Sequence, residues 1–89
     1  MRITVRYLGQ AQRAAGRAAE VVDAADGCTV AAVLHTLAGR QAALRGLLLA
    51  ADGSPRPSML FFVGDEQCAA DRALRDGDVL TVLAPMAGG

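Results

Sequence analysis

Lysine is absent from this 89-residue sequence, and all nine of its basic residues are arginine. A Schiff-base lysine, a phosphate-loop lysine or a lysine general base is therefore excluded. Tryptophan is missing too, and one tyrosine and two phenylalanines make up the aromatic content, too little for a base-stacking platform. The nine arginines are matched by nine acids. That balance argues against a nucleic-acid partner, which selects a basic excess, and against a polybasic membrane anchor. Cysteine is scarce: Cys28 and Cys68 stand far apart, in neither a CxxC pair nor a zinc spacing. With His35 the only histidine, a structural zinc site lacks its usual ligands and no metal is expected. Long apolar runs are also wanting. Arg6 interrupts the first one, where a secretory segment would lie. The longest stretch without an acid or arginine, Gly27 to Gly39, falls short of the roughly 20 residues of a membrane span. The expectation is a soluble, cytoplasmic chain with reduced thiols.

What remains is a folded domain with one small core. The 53% hydrophobic and 20% charged fractions are those of a globular chain. Ile3, Val5 and Tyr7 alternate with Thr4, Arg6 and Leu8, the period of a half-buried strand. Gly9 to Gly16 reads as a loop, and Ala18 to Asp23 as a second strand forming an antiparallel hairpin with the first. Thr29 is placed to cap a helix, and Val30, Val33, Leu34 and Leu37 give that helix one apolar stripe. Gly39 reads as its left-handed stop. Gln41 to Ala51 permits a short helix weakened by Gly46, and Asp52 to Pro57 is a turn cluster. Met59 to Val63 is an apolar strand, Glu66 to Cys68 a short returning edge, and Val79 to Leu83 the last strand after an Asp76-Gly77-Asp78 turn. Leu74 is the one buried anchor expected in the connection before it.

The order ββαββ predicts an α+β fold, one main helix across one mixed sheet. A β-grasp roll satisfies it most simply, with the first and last strands parallel at the sheet centre. Residues 1–83 are expected to form this domain and residues 84–89 a flexible tail.

That tail, Ala84-Pro85-Met86-Ala87-Gly88-Gly89, carries no charged side chain. Glycine has no β-carbon, so such an end can enter a narrow tunnel and present its carboxylate to an enzyme. A terminal carboxylate is ionised at neutral pH. It can attack a nucleotide α-phosphate to give an acyl-adenylate, which a sulfur donor converts to a thiocarboxylate. The chain has no phosphate-binding loop, so a partner must supply the activation.

The stretches Phe62-Val63-Gly64-Asp65-Glu66, Leu74-Arg75-Asp76-Gly77-Asp78-Val79 and the closing Ala84 to Gly89 resemble those of the prokaryotic ubiquitin-like sulfur carriers. This family holds the small molybdopterin-synthase subunit (MoaD), the thiamine sulfur carrier (ThiS) and the cysteine-biosynthesis carrier (CysO). Ile3 to Leu8, Arg13-Ala14-Ala15-Gly16 and Thr29-Val30 match as well, so the resemblance spans nearly the whole chain. It implies a β-grasp fold and a chain that is no enzyme by itself. It implies adenylation of Gly89 with ATP by an E1-like enzyme of the MoaB, MoeB or ThiF type, then thiocarboxylation, with no bound cofactor. Gly88 would be the slender neighbour, and Ala84, Pro85, Met86 and Ala87 would lie along the partner's channel. Leu60 and Phe62 would lie opposite the helix, where the family docks partners such as the large molybdopterin-synthase subunit. The Asp52-Gly53 loop and the Ala-Gly-Gly end favour a MoaD-like or CysO-like member. Carriers for thiamine or specialised metabolites, a lysine-attached protein modifier and an interaction module with an idle tail are the alternatives.

Blander roles fit the remaining candidates. Asp76 and Asp78 flank Gly77 as turn residues rather than as an acid–base pair. Cys28 and Cys68 read as small fillers, and His35, off the apolar stripe, as a solvated helix residue.

Overall fold

The fold follows from where each apolar pattern finds cover. A computed structural model describes residues 1–85. Strand β1 (Arg2–Gly9) turns Ile3, Val5 and Tyr7 into the core and Arg2, Arg6 and Leu8 outward, as its alternation requires. A short helix α1 (Gln10–Ala15) leads to β2 (Ala19–Asp23), antiparallel to β1 with Ile3 opposite Val22. Helices α2 (Val30–Arg40) and α3 (Ala42–Leu48) follow. Strands β3 (Leu60–Val63), β4 (Glu66–Cys68) and β5 (Val79–Ala84) complete a five-stranded sheet of order β2-β1-β5-β3-β4. β1 and β5 run parallel at its centre, and the other pairs are antiparallel. The helices pack on one face. Val30, Val33, Leu34 and Leu37 of α2 and Leu44 and Leu48 of α3 join Ile3, Val5, Leu80, Val82, Met59, Phe61 and Val63 in a single core. Each fully buried leucine there contributes about 1.5–3 kcal/mol. Leu74 is buried in the same cluster.

The segment between Gly9 and Gly16 is a helix, not the expected loop. Ala11 and Ala15 lie one turn apart and are both buried. Gly9 and Gly16 adopt φ of 63° and 73° at its two ends, and the Gly16 amide donates to the Gln12 carbonyl at 3.0 Å. The structure also corrects Gly39. It has no positive φ, and α2 runs through it to Arg40. Gln41, in extended conformation (φ −137°, ψ 121°), ends α2 and starts α3 at once. Its side-chain Nε2 donates to the Ala15 carbonyl at 3.2 Å, which ties this corner to α1. An extended residue suffices to swing α3 back against α2, so no left-handed stop is required. Thr29 does cap α2, its Oγ1 accepting from the Ala32 amide at 3.2 Å.

Both aspartates of the Asp-Gly-Asp turn are spent on backbone. Asp78 Oδ2 accepts from the Arg75 amide at 2.8 Å and Asp76 Oδ1 from the Arg2 amide at 2.7 Å. Gly77, at φ 86°, donates its amide to the Arg2 carbonyl at 2.8 Å. These bonds fasten the start of β5 to the start of β1 and so set the register of the central pair.

Candidate functional site at the end of the central strands

β1 and β5 stay in register to their last residues, with Leu8 beside Leu83 and Gly9 beside Ala84. Ala84 is the final residue of β5 and only 2% exposed. The body therefore extends one residue beyond its expected end, because Gly9 offers Ala84 a partner that the sequence pattern does not reveal. Being buried, Ala84 presents little surface for a channel. Pro85, exposed, follows it and has no amide to continue the ladder. Met86, Ala87, Gly88 and Gly89 lie outside the described residues.

Gly9 is the residue that makes this exit possible. Its φ of 63° belongs to glycine, and a β-carbon there would collide with the Ala84 carbonyl oxygen. The chain thus leaves from the centre of the sheet, past a point where two backbones meet without a side chain between them. The sequence carried one usable sign of this, a glycine directly after a strand.

Leu60 and Phe62 lie where expected, on the sheet face opposite the helices and half-buried. Register joins them to residues that the sequence reading did not single out. Leu60 sits beside Leu83, which sits beside Leu8; Phe62 sits beside Thr81 and opposite Gln67. Leu8 is 41% exposed, and Val21 on β2 is 57% exposed. The row Leu8–Leu83–Leu60 lies at the same end of the sheet as Ala84. An open apolar patch therefore adjoins the point from which the tail departs.

The remaining polar groups brace the fold. Tyr7 Oη donates to Glu20 Oε2 at 2.6 Å, and Arg40 Nη1 pairs with Glu20 Oε1 at 3.5 Å, linking β1, β2 and the end of α2. Burial first, and then the hydrogen bond and charge of Glu20, hold the Tyr7 hydroxyl well above the ordinary tyrosine range. The unfolded chain gives up this proton near pH 10 while the folded chain keeps it. The associated stability is thus complete below about pH 10 and falls above it, by up to about 1.4 kcal/mol per pH unit. Ultraviolet titration of this single tyrosine should show no ionisation of the native protein at about pH 10 to 11, and a Tyr7→Phe chain should lose the part of the alkaline slope in stability that sets in near pH 10. Reversible ionisation near pH 10 with the fold intact would refute the assignment. Cys28 and Cys68 are free thiols, both partly buried. Burial pushes the Cys68 thiol up, away from a reactive thiolate. Among the described residues no cluster of three metal-ligating side chains occurs, and no helix is long and apolar enough to cross a membrane.

A five-stranded mixed sheet with parallel central strands and a helix packed across it defines a β-grasp, ubiquitin-like protein. The ThiS family model matches residues 5–89. The chain belongs to the ThiS family, and its fold is that of the ubiquitin-like sulfur carriers. Small archaeal modifier protein 1 of Haloferax volcanii superposes with a TM-score of 0.90 at 25% identity, over 100% of both chains. A chain of the BexX/CysO complex of Amycolatopsis orientalis gives 0.70 at 24% identity, over 98% of this chain and 99% of that one. The complex of subunits 1 and 2 of the molybdopterin-converting factor from Helicobacter pylori 26695 gives 0.62 at 21% identity, over 100% of both. The last two, below 25% identity, show the fold alone. No curated protein sequence matches significantly.

Proposed function

We propose that this chain is a sulfur carrier whose Gly89 carboxylate is charged by a separate enzyme and returned as a thiocarboxylate. A carboxylate oxygen attacks the α-phosphorus of ATP, and pyrophosphate leaves. A sulfide-equivalent donor then attacks the acyl carbon, and AMP leaves. The chain brings neither lysine nor a phosphate-binding loop, so an E1-like adenylating enzyme supplies both activation steps. The loaded end then delivers sulfur to an acceptor enzyme in the cytoplasm. The MoaD-like assignment makes that acceptor the large subunit of molybdopterin synthase, with this chain as the non-catalytic small subunit. Support comes above all from one observation: β5, at the centre of the sheet, ends beside the open apolar patch of Leu8, Leu83 and Leu60. A partner seated on that patch lies beside Ala84 and Pro85, from which the tail continues. Phe62, Leu60 and the tail residues Pro85 to Gly88 are its contacts in this reading.

Intact-mass measurement after incubation with ATP, a sulfide source and the cognate activating enzyme tests the proposal. The expected product carries one oxygen-to-sulfur exchange at Gly89; an unaltered mass with a demonstrably active enzyme refutes it. Phe62→Ser should leave the fold intact, since the side chain lies outside the core. It should raise the half-saturating concentration for the activating enzyme by about thirtyfold, as truncation of an aromatic anchor does. Steady-state pyrophosphate release measures this.

A second reading is favoured by the likeness to small archaeal modifier protein 1. In it Gly89 is joined to amino groups of other proteins, and conjugates of higher mass on a denaturing gel would distinguish it. The acceptor itself is separable by capture from the native cell. A large molybdopterin-synthase subunit marks the MoaD-like pathway, and a pyridoxal-phosphate enzyme marks a CysO-like one.

A further inference from the structure

On the helical side of the sheet, away from the open face, a groove of about 480 Å³ runs between α2, α3 and the loop after α3. Its charged or ionisable lining groups are His35, Arg45 and Arg56, and no carboxylate lines it. Asp52, in the loop, is turned into its own turn. Its Oδ1 accepts from the Ser54 amide at 3.0 Å and hydroxyl at 2.6 Å, which holds the carboxyl below its usual range. Among the described residues neither Arg45 nor Arg56 has a carboxylate partner.

The groove is held in shape. Arg56 Nε donates to the Gly46 carbonyl at 2.8 Å, which fixes the guanidinium over α3. The Arg56 amide bonds to the Leu48 carbonyl at 2.9 Å and the Ala50 amide to the Ser54 carbonyl at 2.7 Å. Gly53, at φ 86°, brings the loop beside His35, with an added β-carbon placed 3.7 Å from Cε1. The guanidinium of Arg56 thus spends one donor on the protein and keeps its terminal nitrogens for something else.

Two glycines in the lining lack any other explanation. Gly39 and Gly46 sit inside helices, where glycine is unfavourable relative to alanine. Neither has a positive φ, and a β-carbon on either would meet nothing within 4 Å. Among the described residues no turn and no close packing requires them. Both border the groove. Bare backbone there leaves room for a ligand to approach.

We propose that this groove binds a small phosphorylated compound. Arg45 and Arg56 supply charge-assisted donors that suit phosphate oxygens, and His35 adds a third polar group. Among the described residues no phenylalanine or tyrosine lines the groove, and the two arginines make the phosphoryl group the feature it recognises. The size falls within the range of small-molecule sites. This proposal does not depend on the carrier chemistry.

The test is nuclear magnetic resonance titration of the full chain with inorganic pyrophosphate, without magnesium and at fixed ionic strength. Saturable shifts are expected at the Gly39, Gly46 and Gly53 amides and at the side-chain Nε–H signals of Arg45 and Arg56. Arg45→Gln with Arg56→Gln should weaken binding by at least about tenfold. Gly46→Ala should weaken it too, while raising the denaturation midpoint because alanine is the better helix former. Orthophosphate and glucose 6-phosphate form two further arms. Preference for the ester assigns a phosphorylated metabolite, and equal affinity assigns free phosphate. Shifts that fail to saturate, that spread equally to Arg2, Arg13 and Arg72, or that survive the double arginine replacement would overturn the site. Tighter binding of a glutamate hexapeptide would also overturn it, in favour of an acidic protein partner.

Discussion

Removal of Gly88 and Gly89 is expected to abolish thiocarboxylate formation, by at least about a hundredfold, because displacing a reacting group by more than about 1 Å already costs that much. The fold should be untouched. Among the described residues the core ends at Ala84, the last buried side chain of β5. Circular dichroism and thermal denaturation of the shortened chain should superpose on those of the full chain, while intact-mass measurement detects no sulfur incorporation. Binding to the activating enzyme should fall far less than turnover, since the patch around Leu8, Leu83 and Leu60 is retained. Normal sulfur transfer by the shortened chain would end the carrier hypothesis and leave an interaction module.

The second large effect concerns Gly9. Gly9→Ala is expected to destabilise the fold by about 2–4 kcal/mol. The backbone at Gly9 (φ 63°, ψ −135°), a conformation open to glycine and strained for any other residue, accounts for about 1–3 kcal/mol of this, and the collision with the Ala84 carbonyl accounts for the rest. The melting temperature should fall by at least about 10 °C for a domain this small. Gly16→Ala is the internal control. Gly16 also has a positive φ, 73°, but a β-carbon there meets nothing within 4 Å. Gly16 lies in the left-handed helical region (ψ 16°) and should carry a backbone cost of about 1 kcal/mol with no collision, so the larger loss in Gly9→Ala measures the contact with Ala84 together with the less accessible ψ of −135°. Amide exchange along β5 should rise in Gly9→Ala and stay low in Gly16→Ala. Equal melting temperatures would show that the close approach has no weight.

The strands were legible because their alternation is local. Ile3, Val5 and Tyr7 face the core in the sequence pattern and in the structure alike, and so do the apolar stripe of α2 and its Thr29 cap. What escaped was short, permissive or long-range. Helix α1 has six residues, too few for a helical period to stand out among small side chains. Gly39 misled because glycine tolerates a helix as well as ending one. Ala84 reads as tail in the sequence because its partner, Gly9, lies at the other end of the fold's sequence. The same holds for the Leu8–Leu83–Leu60 row, which only the parallel pairing of β1 with β5 assembles. The brace of Tyr7, Glu20 and Arg40 joins three elements and leaves no mark in any one of them.

The middle of the sheet is built from its earliest and latest strands, so the long crossover must close before either is held on both sides. Such distant pairings form slowly. During synthesis β1 has no central neighbour until β5 has left the ribosome, and the leucine row does not exist before then. An activating enzyme that reads this row would therefore reject unfinished or misfolded copies without any dedicated check: the order of assembly serves as its own proofreading.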